Sequence, residues 1–210
     1  MDTLIHPTYL PSIPCFALLS QKSIIWEVCD NYQKQTYRNR AYICTDQGKY
    51  MLSIPINHKG KKQGRQLYKE VELENESRWQ RQHWRTLQTA YRTSPFFEYY
   101  EDEFEPLYSK NFKYLMDFNF TTIEVLASCF QIELDFFRTE EYLDKAENLV
   151  DARNLVNAKS KLSIEQLGYV QVFQNKHGFI PNCSAIDLLF NEGPAALSYL
   201  QNFKLGFLNA

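Results

Sequence analysis

Apolar positions in this chain come first as short runs of strand length and later as stripes of helical period. Thr3–His6 is a run that Pro7 must stop, because proline lacks a ladder donor and restricts the residue before it. The loop Pro7–Pro14, with three prolines, hands over to an apolar segment, Cys15–Ser20, that reads as a short helix. Ser23–Cys29 follows with the length and β-rich composition of a second strand. Strand, short helix and strand together open an α/β unit. Further on, Ala41–Thr45 and Lys49–Ile54 flank Asp46-Gln47-Gly48, whose glycine suits a tight hairpin. Tyr50, Leu52 and Ile54 alternate with Lys49, Met51 and Ser53, which predicts one buried face.

Glu70–Leu73 reads as another short alternating strand, after which the period becomes helical. Trp84, Leu87 and Tyr91 recur at i, i+3 and i+7, with Arg81, Arg85, Gln88 and Arg92 on the other face, and His83 falls at the edge of that stripe. Ser94-Pro95 is expected to end this helix and cap the next, which carries Phe97, Tyr100, Phe104 and Leu107. Phe112, Leu115, Asn119, Ile123, Leu126 and Phe130 make a third stripe. Ile132–Arg138 and Tyr169–Phe173 read as strands, and the pattern between Glu140 and Ser163 is polar and weak. Asn182 or Ser184 is placed to cap a short helix carrying Ile186, Leu189 and Phe190, and Gly193-Pro194 then stops it and starts a last helix, Pro194–Phe203. The expected fold is α/β, one domain over residues 1–210 with a mixed sheet and aromatic-rich helices packed on it. The alternative is α+β, with an N-terminal antiparallel sheet and a helical lobe.

Composition narrows the function classes. With 210 residues and a net charge of −2, the chain can bury a sizeable core but lacks the broad basic surface of a nucleic-acid binder. Its first residues lack a basic stretch followed by an apolar one, and no apolar run approaches a bilayer span, so a cytoplasmic location without membrane insertion is expected. The five cysteines are scattered with no Cys-x-x-Cys spacing, which predicts reduced, mostly buried thiols. The four histidines show no metal-ligand spacing, so no metal is expected; no glycine-rich nucleotide fingerprint occurs, and the cofactor stays unassigned.

Candidate chemistry gathers in Tyr32–Arg40, reading Tyr-Gln-Lys-Gln-Thr-Tyr-Arg-Asn-Arg, together with His6-Pro-Thr-Tyr-Leu-Pro11. Both sit in connections between strands, where a scaffold can aim phenol, amide and cationic groups at a ligand. A second polar cluster runs from Gln171 to Gly193 and includes His177, Asn182, Ser184 and Asp187. The basic stretch Asn57–Lys69, with Lys59, Lys61, Lys62 and Arg65, reads as a solvated loop tip or as an anion clamp.

These segments, with Leu52-Ser-Ile-Pro55, Trp79…His83-Trp84…Ala90-Tyr91…Pro95-Phe-Phe97 and Tyr169…Phe173…His177-Gly-Phe…Pro-Asn182…Ser184…Asn191-Glu-Gly193, give the chain an order of motifs that resembles the WbqC family over nearly its whole length. The resemblance implies a bacterial protein associated with O-antigen or other surface-polysaccharide gene sets. One departure stands out, since His6-Pro7 occupies the place where that family usually has Gln-Pro.

Two roles follow as expectations. In the first, the chain is a transferase for an activated sugar or related anionic metabolite: Lys34, Arg38 and Arg40 hold the anion, Tyr9, Tyr37 and Asn39 orient the sugar, His6, Asn182 and Ser184 complete the ligand shell, and Asp30, His83 or Asp187 is the general base. In the second, the same groups bind an anionic glycan without catalysis. The partners expected are a small anionic or sugar substrate, and either a second copy of the chain or another enzyme of the same pathway.

Overall fold

A computed structural model describes residues 1–57, 65–159 and 164–209. In chain order its elements are β1 (Thr3–Ile5), α1 (Ile13–Gln21), β2 (Ile24–Trp26), β3 (Arg40–Thr45), β4 (Gly48–Ser53), α2 (Trp79–Tyr91), α3 (Phe97–Ser109), α4 (Leu115–Cys129), β5 (Phe137–Arg138), β6 (Val150–Asp151), α5 (Gln174–His177), α6 (Ala185–Glu192) and α7 (Ala195–Gln201). The fold is α/β, with both parallel and antiparallel pairing.

The central sheet has four strands in the order β5-β2-β1-β6, and every pairing in it is parallel. Thr3, Leu4 and Ile5 of β1 sit opposite Ile24, Ile25 and Trp26 of β2, and all three β1 side chains are buried, as parallel strands covered on both faces require. Helix α1 makes the crossover between them. It is apolar all round from Ile13 to Leu19, with Pro14 in its first turn, and it lies buried against α6 and α7.

β3 and β4 form a separate antiparallel hairpin that turns at Gly48, whose φ of 95° suits a residue without a Cβ. Its buried face is only half of what alternation predicts. Leu52 and Ile54 are buried, but Tyr50 is 48% exposed. Helices α2, α3 and α4 pack in sequence, and Phe190 of α6 inserts among them, its ring 5.1 Å from both Tyr91 and Phe97 and 5.4 Å from Phe104, all edge-on.

Several local expectations shift. Helix α2 buries Trp79, His83, Leu87, Ala90 and Tyr91, so His83 lies within the stripe, and Trp84 is the half-buried flank that stacks on Tyr108. The next helix starts at Phe97 with no side-chain cap, and Ser94 instead donates to the Tyr91 carbonyl. Glu70–Leu73 is a 3₁₀ turn over Tyr68–Glu70 followed by isolated bridges from Glu72 to Tyr114 and from Leu73 to Ile56. Only the last two residues of Ile132–Arg138 pair, and Tyr169–Phe173 is irregular because Tyr169 and Gln171 turn inward to bond a buried carboxyl. In the weak stretch after Glu140, Val150–Asp151 joins the sheet as β6.

Ser184 caps α6, accepting from the Ile186 amide. Gly193 ends α6 with φ 52°. Lys59, Lys61 and Lys62 of the basic stretch lie outside the described residues, and Arg65 and Lys69 are exposed. No described helix is long and apolar enough to cross a membrane.

Candidate functional site

His6 directly follows β1 and Glu27 directly follows β2, so both sit at the carboxyl ends of adjacent parallel strands, where open α/β sheets build their crevices. The loop after β1 runs beside the polar segment Tyr32–Arg40, with the Tyr9 amide donating to the Tyr37 carbonyl at 3.0 Å. Tyr37 in turn donates to Val156, just beyond β6, at 2.9 Å. On its other side the same loop is tied to the third segment, because Ile13 N donates to Cys183 O at 2.9 Å and Ala185 N to Pro11 O at 2.8 Å. Three segments far apart in sequence thus meet at one end of the sheet.

Within that junction Asp30 is shared by two partners. His6 Nε2 and an Arg38 Nη atom each donate to Asp30 Oδ2 at 2.9 Å, and Oδ1 accepts the Asn31 amide at 2.6 Å. All three residues are buried. Burial by itself would raise the Asp30 carboxyl, but the bond from His6 and the charge of Arg38 outweigh it and hold the group below the usual carboxylate range. Burial pulls His6 down from its ordinary value, against the raising influence of Asp30. The imidazole is therefore neutral at pH 7, protonated on Nε2 toward Asp30, with its lone pair on Nδ1. That Nδ1 is buried without a hydrogen-bond partner, as are Arg38 Nε and Asn119 Oδ1.

The Arg38 guanidinium carbon lies 5.3 Å from the centre of the Tyr68 ring, whose hydroxyl donates to the Pro7 carbonyl at 2.8 Å. Asn119 Nδ2 locks the Arg38 carbonyl and the Tyr68 hydroxyl from α4. Glu27, fully buried, accepts from Cys29 N, Thr139 Oγ1 and Leu143 N. Sequence reasoning passed over Glu27, although a single Glu inside an apolar strand run was a readable signal.

A groove of about 430 Å³ flanks this network. Tyr32, Lys34, Asn39 and Arg40 line it together with Ser53 at the end of β4 and Pro55 and Ile56 beyond it. Tyr32 joins groove to network: its ring is 6.3 Å from that of Tyr68, and burial pushes its hydroxyl up to about 12 against the lowering effect of Arg38 and Arg40. Asn39 Nδ2 donates to Ile54 O at 2.9 Å, which leaves Asn39 Oδ1 buried and unpartnered, as Arg40 Nε is. Lys34 is exposed at the groove.

The remaining candidates lie elsewhere. Tyr9 is fully buried, its hydroxyl 3.0 Å from both His83 Nδ1 and the Tyr108 hydroxyl. Burial drives the His83 imidazole down to about 4, opposed by a bond with the Ser53 backbone, so it too is neutral at pH 7. Asp187 is fully buried and accepts from the hydroxyls of Tyr91 (2.7 Å) and Tyr169 and from Gln171 Nε2 (2.8 Å); burial raises its carboxyl despite these bonds.

Ser184 is taken up by its cap and by donation from its amide to Tyr42 O. Asn182, with φ 55°, donates to the Tyr37 hydroxyl at 3.3 Å, and those two face a separate small cavity. The sequence-derived set therefore divides: Lys34, Asn39 and Arg40 at the groove, His6, Asp30 and Arg38 beside it, Tyr37 and Asn182 at a second cavity, and Tyr9, His83, Ser184 and Asp187 in the interior. Among the described residues no three His, Cys, Asp or Glu side chains gather as a metal site.

A family model described as the WbqC-like protein family matches residues 6–167. An uncharacterized protein of Mycobacterium tuberculosis, Rv1507c, is 26% identical over 226 residues, an alignment that spans 94% of this chain and 96% of that protein. No solved structure matches the chain.

Proposed function

Because this chain belongs to the WbqC-like protein family, we propose that it binds a phosphorylated or nucleotide-activated sugar in the groove beside Tyr32–Arg40. There it acts as a transferase in the assembly of a bacterial surface polysaccharide. The observation that carries this reading is the gathering at one groove of the exposed Lys34 ammonium, the half-buried Arg40 guanidinium and the polar side chains of Tyr32 and Asn39.

A phosphate or carboxylate satisfies Arg40 and is reinforced by the Lys34 ammonium through charge-assisted bonds. A hydroxyl satisfies Asn39. A sugar phosphate or a sugar nucleotide carries both an anion and hydroxyls and so meets both needs.

Transfer to an acceptor hydroxyl needs a base. In this reading Asp30 and His6 are the pair that handles the proton, Asp30 holding the imidazole so that Nδ1 keeps the lone pair. Asp187 and His83 serve structure, since their hydrogen bonds are made inside the core. A binding role without catalysis is favoured by one observation, the enclosure of His6 Nδ1 away from solvent.

The test is a thermal-shift and calorimetric screen of the full chain against sugar phosphates, nucleotide sugars and free monosaccharides. A ligand that binds only the folded state at a hundredfold excess over its dissociation constant adds about 2.7 kcal/mol. Selective stabilisation by an anionic sugar, lost in Arg40→Ala, is the expected result; stabilisation unchanged in that variant sinks the groove assignment. Turnover of the donor, followed by mass spectrometry and lost in His6→Ala, separates transferase from binder.

A further inference from the structure

The second cavity lies where the strand order reverses. From β1 the chain crosses to β2 on one side, and β6 joins the other side of β1 only after β5. The crevice outside the carboxyl ends of β1 and β6 is thus the switch point of the sheet, the place where open α/β sheets take their ligands. A cavity of about 60 Å³ opens there, and among the described residues its polar lining is Ser12, Tyr37, Asn154, Asn157 and Asn182, with no charged side chain among them. Ser12 leaves the β1 loop, and Asn154 lies in the 3₁₀ turn Arg153–Val156 that follows β6.

The hydrogen-bonding capacity of this lining is only partly used. Tyr37 accepts from Asn182 Nδ2, which leaves its own hydroxyl proton to donate and Asn182 Oδ1 to accept. Among the described residues the side chains of Ser12 and Asn154 make no hydrogen bond. Asn182 is held in a left-handed conformation, which asparagine tolerates better than most residues. A cluster of amides and hydroxyls without charge matches a neutral group that both donates and accepts. The size fits as well, since about 60 Å³ is room for a few hydroxyl-sized groups.

We infer that this cavity is a subsite for the hydroxyl edge of an uncharged saccharide, whose neighbouring hydroxyls meet the free groups of Tyr37, Asn182, Ser12 and Asn154. It stands on different residues from the anion groove and does not need that reading. The two are nonetheless close: Tyr37 and Arg40 are three residues apart, so their Cα atoms are separated by at most about 11 Å. A sugar joined to a phosphate can reach both, and so can two separate ligands.

The test uses the isotopically labelled full chain and two probes, methyl α-D-glucopyranoside, which has no charge, and UDP-glucose. Amide chemical shifts are expected to move at Ser12, Tyr37, Asn154 and Asn182. The affinity should fall roughly fivefold to tenfold in Tyr37→Phe, the loss of one neutral hydrogen bond, and also in the exposed-site variant Asn154→Ala. Shifts with the neutral glycoside make the subsite independent of the anion, and shifts with UDP-glucose alone make it the sugar end of a donor site; both support the inference. Arg40→Ala should leave glycoside binding intact, which separates failure of the groove from failure of this subsite. Absence of shifts at these residues with both probes, or affinity unchanged in both Tyr37→Phe and Asn154→Ala, overturns it.

Discussion

His6 Nε2 lies 2.9 Å from Asp30 Oδ2, and that bond joins the residue after β1 to Asp30, 24 positions later and just ahead of the polar segment Tyr32–Arg40. With Arg38 on the same oxygen, Asp30 balances a guanidinium that is only 2% exposed. The network is thus a structural pivot beside the groove.

Asp30→Ala should therefore be costly. It leaves Arg38 buried without its counter-charge, and breaking such a pair from one side costs about 3–5 kcal/mol. Denaturant unfolding should show a lower midpoint at unchanged slope. A loss below about 1 kcal/mol would mean that solvent already reaches the pair.

The two arginines of the segment should part company. Arg38→Ala strands the Asp30 carboxylate and should destabilise by a comparable amount, on the order of 3 kcal/mol. Arg40→Ala, at a half-buried side chain with an unpartnered Nε, should change stability by less than about 1 kcal/mol while abolishing anion binding. Melting curves and calorimetry on both variants settle the contrast, and equal destabilisation would count against it.

Acid should unfold the protein in a defined window. His6 and His83 both have folded values below their ordinary 6.5, that of His83 at about 4, so the unfolded chain binds their protons more readily. Their contribution is complete above pH 6.5 and is lost as pH falls toward the folded values, by about 3 kcal/mol for His83 alone. The depressed carboxyl of Asp30 adds its own loss only below 3.8, as pH falls through its folded value. Stability measured from pH 7 to 4 should decline, offset in part by Asp187, whose raised carboxyl takes up its proton first in the folded state, and the decline should be shallower in His83→Gln. A flat profile over that range would be inconsistent with buried neutral imidazoles.

Asp187→Ala should destabilise without touching ligand affinity. It removes the acceptor shared by Tyr91, Tyr169 and Gln171 and leaves three buried donors, a cost of at least about 3 kcal/mol. If the variant folds normally but loses turnover, Asp187 belongs to the chemistry instead.

Gly193→Ala should also be severe. The glycine has φ 52°, and an added Cβ would come 2.5 Å from the Phe96 ring, so the α6–α7 corner must deform. The expected cost is about 1–3 kcal/mol, read from the melting temperature. A neutral result would show that Phe96 moves aside freely.

Much of the scaffold was legible along the chain. Proline punctuation bracketed the loop after β1, the Asp46-Gln47-Gly48 signal marked the hairpin, and Asn182 or Ser184 and then Gly193 marked the ends of α6, where the structure chooses Ser184, because these are local consequences of backbone chemistry. The polar segment Tyr32–Arg40 stood out by composition alone. The phase of α2 was misjudged because the stripe starts at Trp79, one turn before the Trp84 that anchored the pattern, and that shift moved His83 from edge to interior.

What the sequence by itself determined was the helical middle, the ends of α6 to within two residues and the polar stretches that hold the candidate site, with α/β favoured over α+β. Only the tertiary structure decided which member of a polar stretch is buried, which lines a cavity and which merely supports the core. Arg38 and Arg40 look alike in sequence, but one finds Asp30 and the ring of Tyr68 while the other reaches the groove. Likewise β6 is two residues of weak pattern until β1, nearly 150 positions away, pairs with it. The physical reason is the same in both cases: periodicity and turn chemistry act over a few residues, whereas parallel pairing and compensation of a buried charge depend on partners that only the folded chain brings together.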